Sequence, residues 1–148
     1  MAIDKSQEYW HGNCAEDTVE YLNEYSENKV DKTVLIKCIQ CGEITFTFKI
    51  DVYEGAIEVI CTDCKKKRLL LDSEEYWEDC DPEKAKCLEC KNNQFNLVVG
   101  FVYRKSEDIK GSVKWVYVGN RCAKCGLLGS YGDWEITYAP TDEMEQNV

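Results

Sequence analysis

The chain has 148 residues, enough for one ordinary domain or two small ones. Its 44% hydrophobic and 31% charged content excludes a disordered or collagen-like chain. The formal net charge of −10 argues against duplex DNA as a partner, because an acidic chain repels phosphates at long range. No apolar run reaches the roughly 20 residues that a membrane-spanning helix needs, and Met1 to Lys5 lacks the apolar core of a secretory signal. The expectation is a soluble, cytoplasmic protein with no membrane partner.

The charge is partitioned along the chain, and the partition predicts five segments. Residues 1–34 carry −5 and read as an acidic helical head. Asn13 as N-cap with Glu16 three residues on resembles a capping box. It opens a helix expected to reach about Asn28, with Val19, Leu22 and Tyr25 on the face that packs against a sheet. His11, the only histidine, is expected to face solvent rather than to bind metal. Residues 35–71 carry +1, residues 72–86 form an acidic linker of −5, residues 87–140 carry +2, and the tail 141–148 carries −3 and is expected to fray.

Ten cysteines are the outlying feature of the composition. Eight fall into four C-x-x-C pairs: Cys38/Cys41, Cys61/Cys64, Cys87/Cys90 and Cys122/Cys125. Cys14 and Cys80 stand alone and read as free thiols. Two intervening residues let the backbone turn tightly, so both thiolates of a pair can point at one ion and the turn's amides can donate to sulfur. In an intracellular chain such pairs read as metal sites before disulfides. Zinc takes four thiolates tetrahedrally at about 2.3 Å, and four thiolates also suit iron.

The pairs can combine sequentially, nested or interleaved, and the intervening segments favour the sequential option. Residues 43–50 alternate polar and apolar as a half-buried strand, 51–55 make a turn, and 56–60 return into Cys61. In the second half, 95–103 form a strand, 104–112 a loop, and 113–118 a strand towards Cys122. Each half thus reads as knuckle, hairpin, knuckle, with a third strand at 67–71 and at 134–138.

In these motifs the chain resembles the zinc-ribbon family with rubredoxin-like knuckles, over 38–71 and again over 87–139. The resemblance implies a small, metal-stabilised, mainly β fold: two tandem zinc ribbons behind a short N-terminal α-helix. It also implies two structural Zn²⁺ ions per chain, held by Cys38, Cys41, Cys61 and Cys64 and by Cys87, Cys90, Cys122 and Cys125. Ribbons serve transcription, ribosomal, enzymatic and adaptor proteins alike, so the motifs do not specify a role.

Two other features bear on function. Lys65-Lys-Lys-Arg68 is the single basic run, read as a solvated strand end. Phe101, Tyr103, Trp115, Tyr117, Trp134 and Tyr138 interleave in the second half. On one exposed face they would make a base-stacking platform; otherwise they are core and cross-strand pairs. No Ser/His/Asp set and no glycine-rich phosphate loop is present, and no C-x-x-C leads into a helix as dithiol redox chemistry requires. The sequence reads as a non-enzymatic adaptor or regulator that binds a protein partner, with nucleic acid, single-stranded or RNA, as the alternative.

Overall fold

The computed structural model describes residues 3–6, 9–25, 30–104, 112–137 and 141–148. The end of the expected helix, most of the 104–112 loop and Tyr138 lie outside that set. Among the described residues, eight antiparallel strands form one sheet in the order β4-β3-β2-β6-β7-β8, with β1 added to β6 and β5 added to β2. The strands are β1 (Lys32–Leu35), β2 (Phe46–Asp51), β3 (Ala56–Cys61), β4 (Lys67–Leu69), β5 (Glu83–Lys84), β6 (Phe95–Tyr103), β7 (Val113–Cys122) and β8 (Leu128–Glu135). Among the described residues, three short α-helices, α1 (Asp17–Tyr25), α2 (Ser73–Tyr76) and α3 (Asp142–Gln146), and a 3-10 turn at Trp77–Asp79 complete the fold. No helix among the described residues is long and apolar enough to cross a membrane.

The period-2 pattern works as expected in β2, where Phe46, Phe48 and Ile50 are buried and Thr47 and Lys49 half-buried. In β6 the alternation is lost because both faces are covered. Leu97, Val99 and Phe101 face the main core, while Val98 and Val102 join Leu22 of α1, Val30 and Tyr117 on the other side. A strand buried on both faces reads as a continuous apolar run.

The two halves interlock at a local pseudo-dyad. β2 and β6 share the Cα pair Phe46↔Phe95. Beyond it, β1 extends along the free edge of β6, where Ile36 N donates to Leu97 O at 2.9 Å. Reciprocally, β5 extends along β2, where Ala85 N donates to Phe48 O at 3.0 Å. Each residue of one contact lies 49 positions from its counterpart in the other, as Cys38 does from Cys87 and Phe46 from Phe95. Each half therefore lends a strand to the other, and one buried cluster runs through both, from Ile36 and Phe48 to Val118 and Ile136.

Several elements depart from the sequence expectation. The third strand of the second half is Leu128–Glu135 rather than 134–138, paired from Arg121↔Leu128 to Trp115↔Glu135. Its Gly129 and Gly132 lower its intrinsic strand preference, and only pairing with β7 makes it a strand. Residues 72–86 are not a bare tether. Ser73 is buried and its Oγ accepts from Ile57 N at 2.9 Å, while Glu83 and Lys84 pair with β2. The tail does not fray: Met144 of α3 is buried, Asn147 Nδ2 donates to Leu69 O and Leu71 O, and Tyr103 Oη donates to Glu145 at 2.8 Å. At α1, Asp17 rather than Glu16 reaches back, accepting from Asn13 N at 2.8 Å and Cys14 N at 3.4 Å.

Candidate metal centres

All four C-x-x-C segments fold into the same knuckle. The residue after the second cysteine returns its amide to the first cysteine's carbonyl: Gly42 to Cys38, Lys65 to Cys61, Lys91 to Cys87 and Gly126 to Cys122, at 2.9–3.1 Å. The first cysteine's amide donates forward to residue 43, 66, 92 or 127 at 2.7–3.1 Å. Closing that pair of bonds drives the residue between them into the left-handed region, with φ of 80° at Gly42, 67° at Lys65, 64° at Lys91 and 82° at Gly126. Glycine adopts this backbone freely, whereas the two lysines hold it at a cost.

The knuckles assort sequentially. Cys38, Cys41, Cys61 and Cys64 form one group and Cys87, Cys90, Cys122 and Cys125 the other, each with its four sulfurs within 4.8 Å of one another. Sγ–Sγ separations of 3.5 Å join Cys38–Cys64 and Cys41–Cys61 in the first group and Cys87–Cys125 and Cys90–Cys122 in the second. A disulfide would require about 2.05 Å. A tetrahedral ion with bonds of about 2.3 Å sets its sulfurs about 3.8 Å apart. Each group can hold one metal ion.

The first cysteine of every knuckle is buried and the second lies further out. Backbone amides aim at the buried sulfurs: Gln40 N at Cys38 (3.4 Å), Cys64 N at Cys61 and Cys125 N at Cys122 (both 3.5 Å). Amide donation from Cys41 and Gln40 lowers the Cys38 thiol to about 6. Cys122 is also lowered to about 6, because amides of Cys125 and Lys124 and the Asn92 side chain outweigh the burial that opposes them. Their neighbours move the other way. Although the Glu43 amide favours its thiolate, burial and the sulfurs of Cys61 and Cys38 push Cys41 up to about 12. Burial and the neighbouring thiols likewise raise Cys125. Divalent-ion binding at such a thiol set releases protons, so metal affinity rises with pH.

The second centre has surroundings that the sequence did not reveal. Asn92 Nδ2 donates to Cys122 Sγ at 3.5 Å. His11, expected to face solvent, is mostly buried instead. Its Nε2 lies 2.6 Å from Glu89 Oε1, and the two groups stand within 4.8 Å of Cys125 Sγ. Backbone bridges from His11 to Asp4 and to Leu127 hold it there, 114 positions from Cys125, so no local pattern could signal it. Among the unpaired cysteines, Cys14 is exposed and Cys80 donates to Tyr76 O at 3.2 Å.

The other candidate surfaces divide. Lys65, Lys66 and Lys67 are exposed, but Arg68 donates to Val148 O at 3.2 Å and to Lys37 O at 3.5 Å. The second-half aromatics do not share an exposed face: Phe101 and Tyr117 are buried, and Tyr103, Trp115 and Trp134 are half-buried. No protein-family model, curated protein or solved structure matches this chain.

Proposed function

We propose that the protein is a non-enzymatic, two-zinc protein, two zinc-ribbon-like units fused through a shared sheet, that acts as an interaction adaptor or regulator. The observation that carries the metal reading is the grouping of eight knuckle sulfurs into two sets of four at near-tetrahedral spacing. Four thiolates close the coordination of Zn²⁺ and leave no position for water, which suits a structural ion rather than a catalytic one. Soft thiolate sets also suit iron, so metal identity is the first thing to measure.

A protein partner is favoured by the apolar side chains that remain in water. Ile39 and Leu88 project from equivalent positions of two knuckles, 65% and 68% exposed, and Tyr53 at the β2–β3 turn is fully exposed. A net charge of −10 disfavours nucleic acid, and burial of Phe101 and Tyr117 removes two members of any stacking platform. The exposed Lys65–Lys67 run keeps the nucleic-acid alternative testable.

Elemental analysis of natively purified protein tests the metal reading: two zinc per chain and no iron are expected. Crosslinking in cells from a photoreactive residue at Ile39 or Leu88 tests the adaptor reading. One defined protein adduct, lost in Ile39→Asp or Leu88→Asp, is expected. Adducts to RNA instead, or salt-sensitive binding to single strands, would replace it with the alternative.

A further inference from the structure

A cavity of 640 Å³ opens beside the second metal centre, between the N-terminal segment, α1 and strands β7 and β8. That volume lies within the range of small-molecule sites. Trp10 and Tyr21 form one wall, their rings edge to face at 5.8 Å and 89°. Lys5 Nζ stands over the Trp10 ring, 4.7 Å from its centroid, and Leu128 N donates to the Trp10 carbonyl at 2.8 Å. Tyr131 also lines the cavity, with its hydroxyl accepting from Lys86 N at 2.8 Å and donating to Lys86 O at 2.6 Å. These walls are set before any ligand arrives, and they are aromatic.

Asn120 also lines the cavity, and it is the informative residue. It is only 6% exposed, and its Oδ1 has no hydrogen-bond partner among the described residues. Buried amide oxygens are nearly always satisfied, so an orphan on a residue that lines a cavity, once the carboxamide turns towards that cavity, is a place where something else donates. A carboxamide presents an acceptor and a donor side by side, and its complement is an edge with the same two groups in reverse. Nitrogen heterocycles such as nucleobases carry that edge on a flat ring, which aromatic walls can stack. Lys86 is the one charged residue among the described lining residues, and the chain as a whole is strongly acidic, so a neutral ligand fits better than a polyphosphate.

We propose that this cavity binds a neutral planar nitrogen heterocycle of nucleoside size, with its polar edge on the Asn120 carboxamide and its ring against the aromatic side chains of the lining. The site rests on the metal reading only in that Cys87 and Leu88 contribute to its rim.

The test is titration of the full, metal-loaded chain with adenosine, guanosine, cytidine and uridine, followed by ligand-observed NMR and by Trp fluorescence. Metal content and the thermal melt are recorded on the same samples, so loss of metal is distinguished from an empty cavity. At least one nucleoside is expected to saturate a single site, and Asn120→Leu is expected to weaken it tenfold or more. Gly129→Leu provides a second variant. Gly129 is the cross-strand partner of Asn120, and a Cβ there meets the Asn120 amide only at an ordinary 3.6 Å, so the larger side chain blocks the cavity without a backbone clash. It is expected to abolish binding. Failure of all four nucleosides at millimolar concentration on metal-loaded, cooperatively melting protein would overturn the proposal. So would affinity unchanged in both variants, or binding of an oligonucleotide with no binding of its nucleosides.

Discussion

Phe46 and Phe95 stand opposite one another as the one Cα pair that joins β2 to β6, and both are fully buried. Phe48 packs edge to face on Phe95 at 5.3 Å, so residues from both halves close the same core. Truncation at this point should be felt at both metal centres. Phe95→Ala is expected to cost about 3–5 kcal/mol, the usual range for a buried phenylalanine. Denaturant unfolding followed by Trp fluorescence and by zinc release to a chromophoric chelator should give one coincident transition in the wild type. Two separated transitions would show that the halves fold independently.

Gly126 and Gly42 occupy the same place in their knuckles but not the same surroundings. A Cβ on Gly126 would stand 2.5 Å from the Gly12 carbonyl oxygen, whereas one on Gly42 meets nothing within 4 Å. Gly42→Ala should therefore cost only the left-handed backbone penalty, about 1–2 kcal/mol. Gly126→Ala should cost more, because it also displaces the N-terminal segment that carries His11. Chemical denaturation of the two variants, side by side, checks the order.

Lys65 and Lys91 hold φ near +65°, where glycine has the advantage over every residue with a Cβ. Lys91→Gly is expected to be more stable than Lys91→Ala by about 1 kcal/mol, the reverse of the usual ranking. The same order is expected at Lys65. A thermal melt in which alanine equals or exceeds glycine at both positions would contradict the knuckle geometry.

The ligand assignment separates the ten cysteines cleanly. Cys61→Ser or Cys122→Ser should reduce metal content from two ions per chain towards one and destabilise the fold by several kcal/mol, because binding energy at such sites is folding energy. Cys14→Ser and Cys80→Ser should leave two ions in place. Chelator should unfold the wild type, and elemental analysis with far-UV circular dichroism reads both effects.

Asp51 supplies a pH dependence. Its carboxylate accepts from Asp81 N at 3.0 Å and from Tyr53 N and Glu54 N at 3.0 and 3.1 Å. The Asp81 amide, with those of Glu54 and Tyr53, outweighs burial and holds the carboxyl below its usual value. A folded value below the unfolded one, about 3.9, means the contribution is complete at neutral pH and is lost as pH falls below about 4. Asp51→Asn is expected to cost about 2 kcal/mol at pH 7, with the gap to wild type closing on acidification. Paired urea titrations of metal-loaded wild type and variant at pH 7 check the gap, and equal midpoints would show that the carboxylate contributes nothing.

How much was legible in the sequence follows from the range of each signal. The eight knuckle cysteines, the hairpins between them and their sequential grouping rest on spacing and on period-2 alternation, as in Phe46-Thr-Phe-Lys-Ile50. These are local properties, set by how a turn points two sulfurs and how a strand divides its side chains between two faces. The exchange of β1 and β5 between the halves, the docking of His11 against the second knuckle and the orphaned Asn120 amide were decided by tertiary structure. Each depends on which strand edge meets which, and on what packs above a given face, and segments 33 to 114 positions apart carry no local imprint of that choice. β8 shows the boundary between the two: its glycines argue against a strand, and only the free edge of β7 makes it one.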